Sequence, residues 1–359
     1  MRVLISGGGT GGHLFPAIAV AQALSRKEPD ATVLFAGRRE GIEARTVASY
    51  GMRFAPIPAA PLYTEQVWRN WSLPIVLGSA LYQSWRLLDR FKPDVVLGTG
   101  GYVSVPLITA AALSRVPIVL QEQNLMPGRA TRMLARFART VATAYPESSR
   151  FLRASTTVVT GTPVRTEFWR RRDDFPARPR TILVLGGSQG AHRLNQAVAE
   201  SLPWLLDRPD LKIEHQTGPR EIDAMQAVKA ALPKPAAARY EPFAFASDLA
   251  ERIRGADLVI SRAGASTLSE VSAIGIPMIL VPYPYAGGHQ RLNVTPYAAA
   301  GATIVIADEE VQGRLRSVLT SMLDDEARYP KMVEAMRGLG RPYAAEEVVR
   351  LLHEAARRH

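Results

Sequence analysis

Short apolar runs alternate with amphipathic stretches along almost the whole chain. In the first half, Val3-Leu4-Ile5 and the runs at 32–35, 94–97, 117–120 and 157–159 read as strands. In the second half the runs at 181–185, 211–215, 257–260, 278–281 and 303–306 read the same way. Strands separated by helical patterns of about 10–15 residues predict parallel, doubly wound α/β sheets. The closing segment 344–357 sets Val348, Val349, Leu352 and Ala355 at helical spacing, a pattern that leaves its domain open.

One glycine pattern occurs twice. Gly7-Gly8-Gly9-Thr10-Gly11-Gly12-His13 returns as Gly186-Gly187-Ser188-Gln189-Gly190-Ala191-His192, each after an apolar run and before an Ala-rich helical pattern. A strand, a glycine turn and a helix N-terminus present backbone N–H groups to phosphate or another anion. Two copies half a chain apart predict two Rossmann-like domains facing across a cleft. The charged, proline-punctuated stretch from Gly161-Thr162-Pro163 to Pro176 is the expected boundary.

The length of 359 residues suits two domains, and 47% apolar with 21% charged residues suits a soluble globular protein. No run approaches the ~20 apolar residues that span a bilayer. The chain enters its first strand at once, which leaves no room for a secretory signal peptide. With no cysteine there is no disulfide, thiolate metal site or cysteine nucleophile, in keeping with the cytoplasm. Charge is uneven. Residues 1–172 hold 22 basic against 10 acidic side chains, and residues 173–359 hold 22 against 23. The first half therefore suits a polyanion or an anionic lipid surface. Its scattered arginines match no nucleic-acid module, so no nucleic-acid partner is expected.

Residues 56–92 interrupt the alternation. Pro56, Pro58 and Pro61 lead into Trp68, Trp71, Ile75, Leu77, Tyr82 and Trp85, interspersed with Arg69, Arg86, Arg90 and Lys92. One reading is an amphipathic helix docked on the sheet; the other is an apolar patch rimmed by arginine that touches a bilayer.

Gly7-x-Gly9-x-x-Gly12 matches the dinucleotide fingerprint, but Gly37-Arg38-Arg39 stands where an NAD site keeps an acid. An NADP oxidoreductase using Arg38 and Arg39 is one alternative. His13, at the start of a helix, is either a packing residue or a general base. In the second half, 257–270 reads as a strand, a turn at Gly264 and a helix beginning near Ser266. Glu270 is then either a ligand for a ribose diol or the acid of a capping box with Ser266 or Thr267. The loop from Val281 to Asn293, with His289 and Gln290, follows a strand at the ligand-binding end of such a sheet.

Taken in order, Gly8–His13, Glu122-Gln123-Asn124, Pro163-Val164-Arg165, Gly186–Gly190, Ser261–Glu270 and His289-Gln290 resemble the MurG-type lipid I N-acetylglucosaminyltransferases over essentially the whole chain. Gly100-Gly101-Tyr102-Val103-Ser104 resembles a further glycine turn of that family. The resemblance implies a GT-B fold, with residues 1–162 plus a returning helix at 342–359 as the acceptor domain and 163–341 as the UDP-GlcNAc domain. It implies a peripheral enzyme on the cytoplasmic face of the plasma membrane that acts on lipid I.

By the same resemblance Glu270 would hold the ribose diol, the Ala246 backbone would face uracil, and Ser188 would contact the diphosphate with Arg165 close by. Gln290, with Ala265, Ser266, Thr267 and Leu268, would reach the sugar or phosphates, and Asn124 would face the donor from the opposite wall. Thr10, Gly11 and Gly12 would lie near the diphosphate. His13 is the first choice for the base and Glu122 the second. With no Asp-x-Asp motif in a metal loop, no metal and no cofactor are expected; backbone amides and Arg165 would stand in for a cation. Two positions depart from the family: Thr162 stands where asparagine is usual, and Ala246 replaces a larger apolar residue. The alternatives at this point are another UDP-sugar enzyme with a lipid acceptor and a non-catalytic nucleotide-sugar-binding module.

Overall fold

The computed structural model describes residues 1–61, 67–71, 73–187, 189–284 and 288–357. They form two compact units, Met1–Thr166 with Tyr343–His359, and Glu167–Pro342.

The first unit is built on a parallel sheet of β1 (Arg2–Ser6), β2 (Thr32–Gly37), β3 (Arg53–Pro56), β4 (Val95–Gly98), β5 (Ile118–Glu122), β6 (Thr140–Thr143) and β7 (Thr157–Val159). The spatial order is β3-β2-β1-β4-β5-β6-β7, so the winding reverses between β1 and β4. In an open α/β sheet a ligand crevice lies at that switch, beyond the carboxyl ends of the strands. The helices are α1 (Gly11–Lys27), α2 (Ile42–Ser49) and α3 (Leu73–Phe91), followed by Val105–Leu113 and shorter pieces. On one face Leu4, Leu34, Val96 and Leu120 pack against Leu88 and Phe91 of α3 and Leu107 and Ile108 of the next helix. The terminal helix Ala344–Arg357 packs against α1, β4 and β5. Its stripe of Val348, Val349, Leu352 and Ala355 is buried. Arg26 donates to Glu346 at 2.8 Å, and Arg139 donates to the Ala355 carbonyl at 2.8 Å.

The second unit has β8 (Thr181–Leu185), β9 (Lys212–Gln216), β10 (Tyr240–Phe243), β11 (Leu258–Ser261), β12 (Met278–Leu280) and β13 (Thr303–Val305). They are all parallel, in the order β10-β9-β8-β11-β12-β13. The core joins Ile182, Val184 and Ile260 of the sheet to Leu194, Val198 and Leu202 of helix His192–Leu206 and to Leu315 and Leu319 of helix Val311–Asp324.

Three strands escape the apolar pattern: β3, β6 and β10. β3 and β10 contain Pro56 and Pro242 and lie at sheet edges. A missing N–H is tolerated there because one side of the strand has no ladder to complete. β6 reads Thr-Val-Ala-Thr, with too few apolar residues to register.

Candidate active site

In the first unit the glycine loop runs from β1 into α1. Gly8 N–H donates to the Gly100 carbonyl at 3.3 Å, and Gly9 N–H donates to Glu43 Oε1 at 2.5 Å. Glu43 comes from the first turn of α2 and is 2% exposed. Thr10 caps α1 in extended backbone, and its carbonyl accepts from the His13 and Leu14 amides. The amides of Thr10, Gly11 and Gly12 donate to no group among the described residues. They stand at the positive end of a 17-residue helix.

His13 is the third residue of that helix. Its Nδ1 lies 3.1 Å from the Thr99 carbonyl oxygen and 2.5 Å from Gln123 Nε2. Thr99 Oγ1 donates back to the His13 carbonyl at 2.7 Å. The turn after β4 can come this close only as glycine. Gly100 and Gly101 have φ of +96° and +79°, and a Cβ on Gly100 would sit 2.8 Å from His13 Nδ1. That explains the Gly100-Gly101 pair.

Glu122, at the end of β5, is 1% exposed and fully engaged. Its Oε1 accepts the Asn124 amide and side-chain N–H groups, both at 3.0 Å, and its Oε2 accepts Gly128 N–H at 3.1 Å. Three N–H bonds make it the brace of the 124–128 loop and leave its lone pairs poorly placed to take a proton from a ligand. The Asn124 carbonyl accepts from Ser148 Oγ. Arg165 lies in the first unit, its guanidinium 4.5 Å above the Phe15 ring and donating to Tyr50 Oη at 2.9 Å. Arg38 donates to Tyr102 Oη at 2.7 Å, so one of the two arginines considered for a 2′-phosphate holds the glycine turn instead. Along α3 and the turn before it, Trp68, Trp71, Ile75, Tyr82 and Trp85 are all more than half exposed.

In the second unit the glycine loop follows β8. Gly186 N–H donates to the Gln216 carbonyl at 3.1 Å. Gly190 has φ of +81°, and a Cβ there would run into the Thr217 carbonyl. Ser188 lies outside the described residues. Behind the loop stands a polar chain. Asn195 Nδ2 donates to Glu221 at 2.7 Å and to the Thr217 carbonyl at 2.9 Å. Asn195 Oδ1 accepts from His215 Nε2 at 3.0 Å, which leaves His215 Nδ1 to accept from Tyr240 Oη at 2.9 Å. His215 is completely buried, and burial pushes its pKa down to about 3.

After β11 the helix Ala265–Ile274 starts at Gly264, which caps it without a side chain. Ser266 and Thr267 are therefore inside the first turn, and Leu268 N–H closes on the Gly264 carbonyl at 2.9 Å. Glu270 is the sixth residue and buried. The capping-box alternative fails here, because Glu270 sits a turn too far along to reach back. Gln290 Oε1 accepts both Ala263 N–H (3.1 Å) and Tyr283 N–H (2.9 Å), so it ties the turn after β11 to the turn after β12. Arg262 braces the same corner, donating to Asp308 at 2.5 Å and to the Val281 carbonyl at 3.1 Å. Ala246 follows β10, next to an exposed Phe245. Among the described residues no group of three or more His, Asp or Glu could hold a metal ion.

Two doubly wound units, each with a glycine loop at the carboxyl end of its first strand, form a GT-B fold. Residues 3–143 match the N-terminal domain of glycosyltransferase family 28, and residues 181–348 match its C-terminal domain. A Moorella thermoacetica protein named UDP-N-acetylglucosamine–N-acetylmuramyl-(pentapeptide) pyrophosphoryl-undecaprenol N-acetylglucosamine transferase is 41% identical, over 98% of both chains. A Desulforudis audaxviator protein of the same name is 36% identical over 99% of both. The chain belongs to this family of N-acetylglucosamine transferases. The crystal structure of Acinetobacter baumannii MurG superposes with a TM-score of 0.78 at 28% identity, covering 98% of this chain and 99% of that one. The UDP-GlcNAc 2-epimerase of Neisseria meningitidis, at 14% identity and a TM-score of 0.69, shares the fold.

Proposed function

We propose that this chain transfers N-acetylglucosamine from UDP-GlcNAc to the 4-hydroxyl of MurNAc in undecaprenyl-pyrophosphoryl-MurNAc-pentapeptide, with inversion. The observation that carries this reading is the 41% identity, over 98% of both lengths, to a protein named for that transfer. In one displacement the acceptor O4 bonds to C1 of the sugar as the bond from C1 to the β-phosphate oxygen breaks. The hydroxyl proton passes to a base, and UDP leaves with the electron pair.

The second unit carries the donor. The buried Glu270 carboxylate accepts from the ribose diol. The amides of Ala265, Ser266 and Thr267, at the start of a ten-residue helix, face developing charge on the leaving group. Gln290 presents its Nε2 end to the sugar or phosphates, since its oxygen is occupied by two backbone N–H groups. Ser188 and the Gly190 turn serve the diphosphate, and the Ala246 backbone faces uracil. The first unit carries the acceptor. Thr10, Gly11 and Gly12 offer open amides to a diphosphate, and, as the resemblance implies, Asn124 from the braced loop serves the donor and Arg165 adds positive charge at the donor's diphosphate. His13 is the base.

The exposed Trp68, Trp71, Ile75 and Trp85, beside Arg86 and Arg90, lay the first unit on the anionic cytoplasmic leaflet. No helix among the described residues is long and apolar enough to cross a membrane. UDP release from UDP-GlcNAc with and without a lipid I analogue tests the reading. Release that depends on the acceptor supports it; release indifferent to the acceptor counts against it.

A further inference from the structure

We infer that Gln123, together with the Thr99 carbonyl, holds His13 as the tautomer protonated at Nδ1, which makes Nε2 the basic nitrogen. The inference rests on the reading of His13 as the base and adds Gln123 as its positioning residue.

A carbonyl oxygen can only accept. The Thr99 oxygen 3.1 Å from Nδ1 therefore calls for a proton on that nitrogen. The Gln123 Nε2 position lies 2.5 Å from the same nitrogen, and the residue is 2% exposed, so its amide has no water to turn toward. Which end faces the ring is decided by the network. The nitrogen end would set an N–H against the Nδ1–H. The oxygen end gives Nδ1–H a second acceptor and supplies a partner to an Oε1 that otherwise lacks one. Thr99 closes the arrangement from below, since its hydroxyl donates to the His13 carbonyl and fixes the start of α1 against β4.

The choice of an amide has a chemical consequence. A carboxylate at this position would set the same tautomer but would stabilise the imidazolium and raise its pKa. The ionisable groups on the surrounding elements include Glu122, bonded to Asn124 and Gly128, Glu43, bonded to Gly9, Arg38, paired with Tyr102, and Arg129 and Arg132 on the helix that brings Thr131 beside Gly100. Gln123 orients the ring without adding charge, so it sets the tautomer without favouring the imidazolium.

The test is ¹⁵N NMR of the histidine-labelled full chain, with His13→Gln for assignment, joined to the pH dependence of kcat. The expected neutral signal has the proton on Nδ1. In Gln123→Glu the His13 titration moves up by about one unit or more, the acidic limb of kcat moves up with it, and the donor KM stays within a few-fold. Gln123→Leu loses the single tautomer and drops kcat about tenfold or more, short of the ~10²–10⁴ expected for removing a base, with no upward move of the limb. A neutral His13 protonated on Nε2, or a folded Gln123→Glu whose His13 titration matches wild type, overturns the inference. If the NMR titration moves and the rate profile does not, the tautomer lock stands and His13 is not the base.

Discussion

The Glu43 carboxylate accepts the Gly9 amide proton at 2.5 Å, so the first glycine loop carries an anion from its own chain. The contact spans 34 residues, from the first turn of α2 to the loop that opens α1. It takes one loop amide out of ligand binding and leaves those of Thr10, Gly11 and Gly12. Removing a buried partner of this kind costs about 1–3 kcal/mol. Glu43→Ala is expected to speed hydrogen exchange of the Gly9 amide by roughly 5- to 150-fold, the same energy expressed as a ratio. Glu43→Gln keeps an acceptor oxygen and should restore most of the protection. Equal exchange in the alanine variant and wild type would show that Glu43 does not hold the loop.

Donor affinity rests on Glu270. Two hydrogen bonds from a diol to a carboxylate are worth about 1.5–3 kcal/mol each. Glu270→Ala should weaken UDP binding by roughly 10²- to 10⁴-fold and nearly abolish the preference for UDP over 2′-deoxy-UDP, both read by calorimetry. A folded variant that still discriminates between the two ligands removes Glu270 from the ribose.

The acid response of the second unit follows from His215. Its folded pKa of about 3 lies below the unfolded value of about 6.5. Between those limits the unfolded chain binds the extra proton, so this contribution is complete above about pH 6.5 and is lost as pH falls toward 3. The slope approaches ~1.4 kcal/mol per pH unit for one proton. Denaturation between pH 7.5 and 4.5 should show this fall, and His215→Gln should be less stable at pH 7.5 but flatter with pH. An equal slope in wild type and variant would assign the acid sensitivity elsewhere.

The glycine loops were legible because strand, turn and helix start are local and leave a local signature. The same holds for the stripe of the terminal helix, whose apolar spacing survives as a buried face. What the sequence hides is carried by contacts between distant elements. Glu43 meets Gly9, Thr99 and Gln123 meet His13, and Arg262 meets Asp308 across 34, 86, 110 and 46 residues. No spacing rule pairs them. The capping-box alternative for Glu270 fell for a local reason: Gly264 caps with its backbone alone, so the helix begins earlier than the serine and threonine suggest. Glu122 illustrates the opposite difficulty. Its residue type and position fit a base, yet three N–H donors already fill it.

Membrane contact is expected to follow charge. Trp71 is 80% and Trp68 72% exposed, on the half of the chain that holds the excess of basic residues. Binding to vesicles rich in anionic lipid should weaken as salt rises, and replacing Trp68 and Trp71 with serine should reduce flotation at constant ionic strength. Flotation insensitive to salt, lipid charge and both tryptophans would leave the exposed ridge without that role.

The central claim is transfer of GlcNAc with inversion to a lipid-linked muramyl acceptor. The most direct measurement is the structure of the product formed from UDP-GlcNAc and a lipid I analogue, read by NMR of the new anomeric centre. The account predicts a single β1→4 linkage to MurNAc, formed with one UDP released per product. An α linkage, a different acceptor hydroxyl, or UDP released as free sugar accumulates without a new glycoside would contradict it.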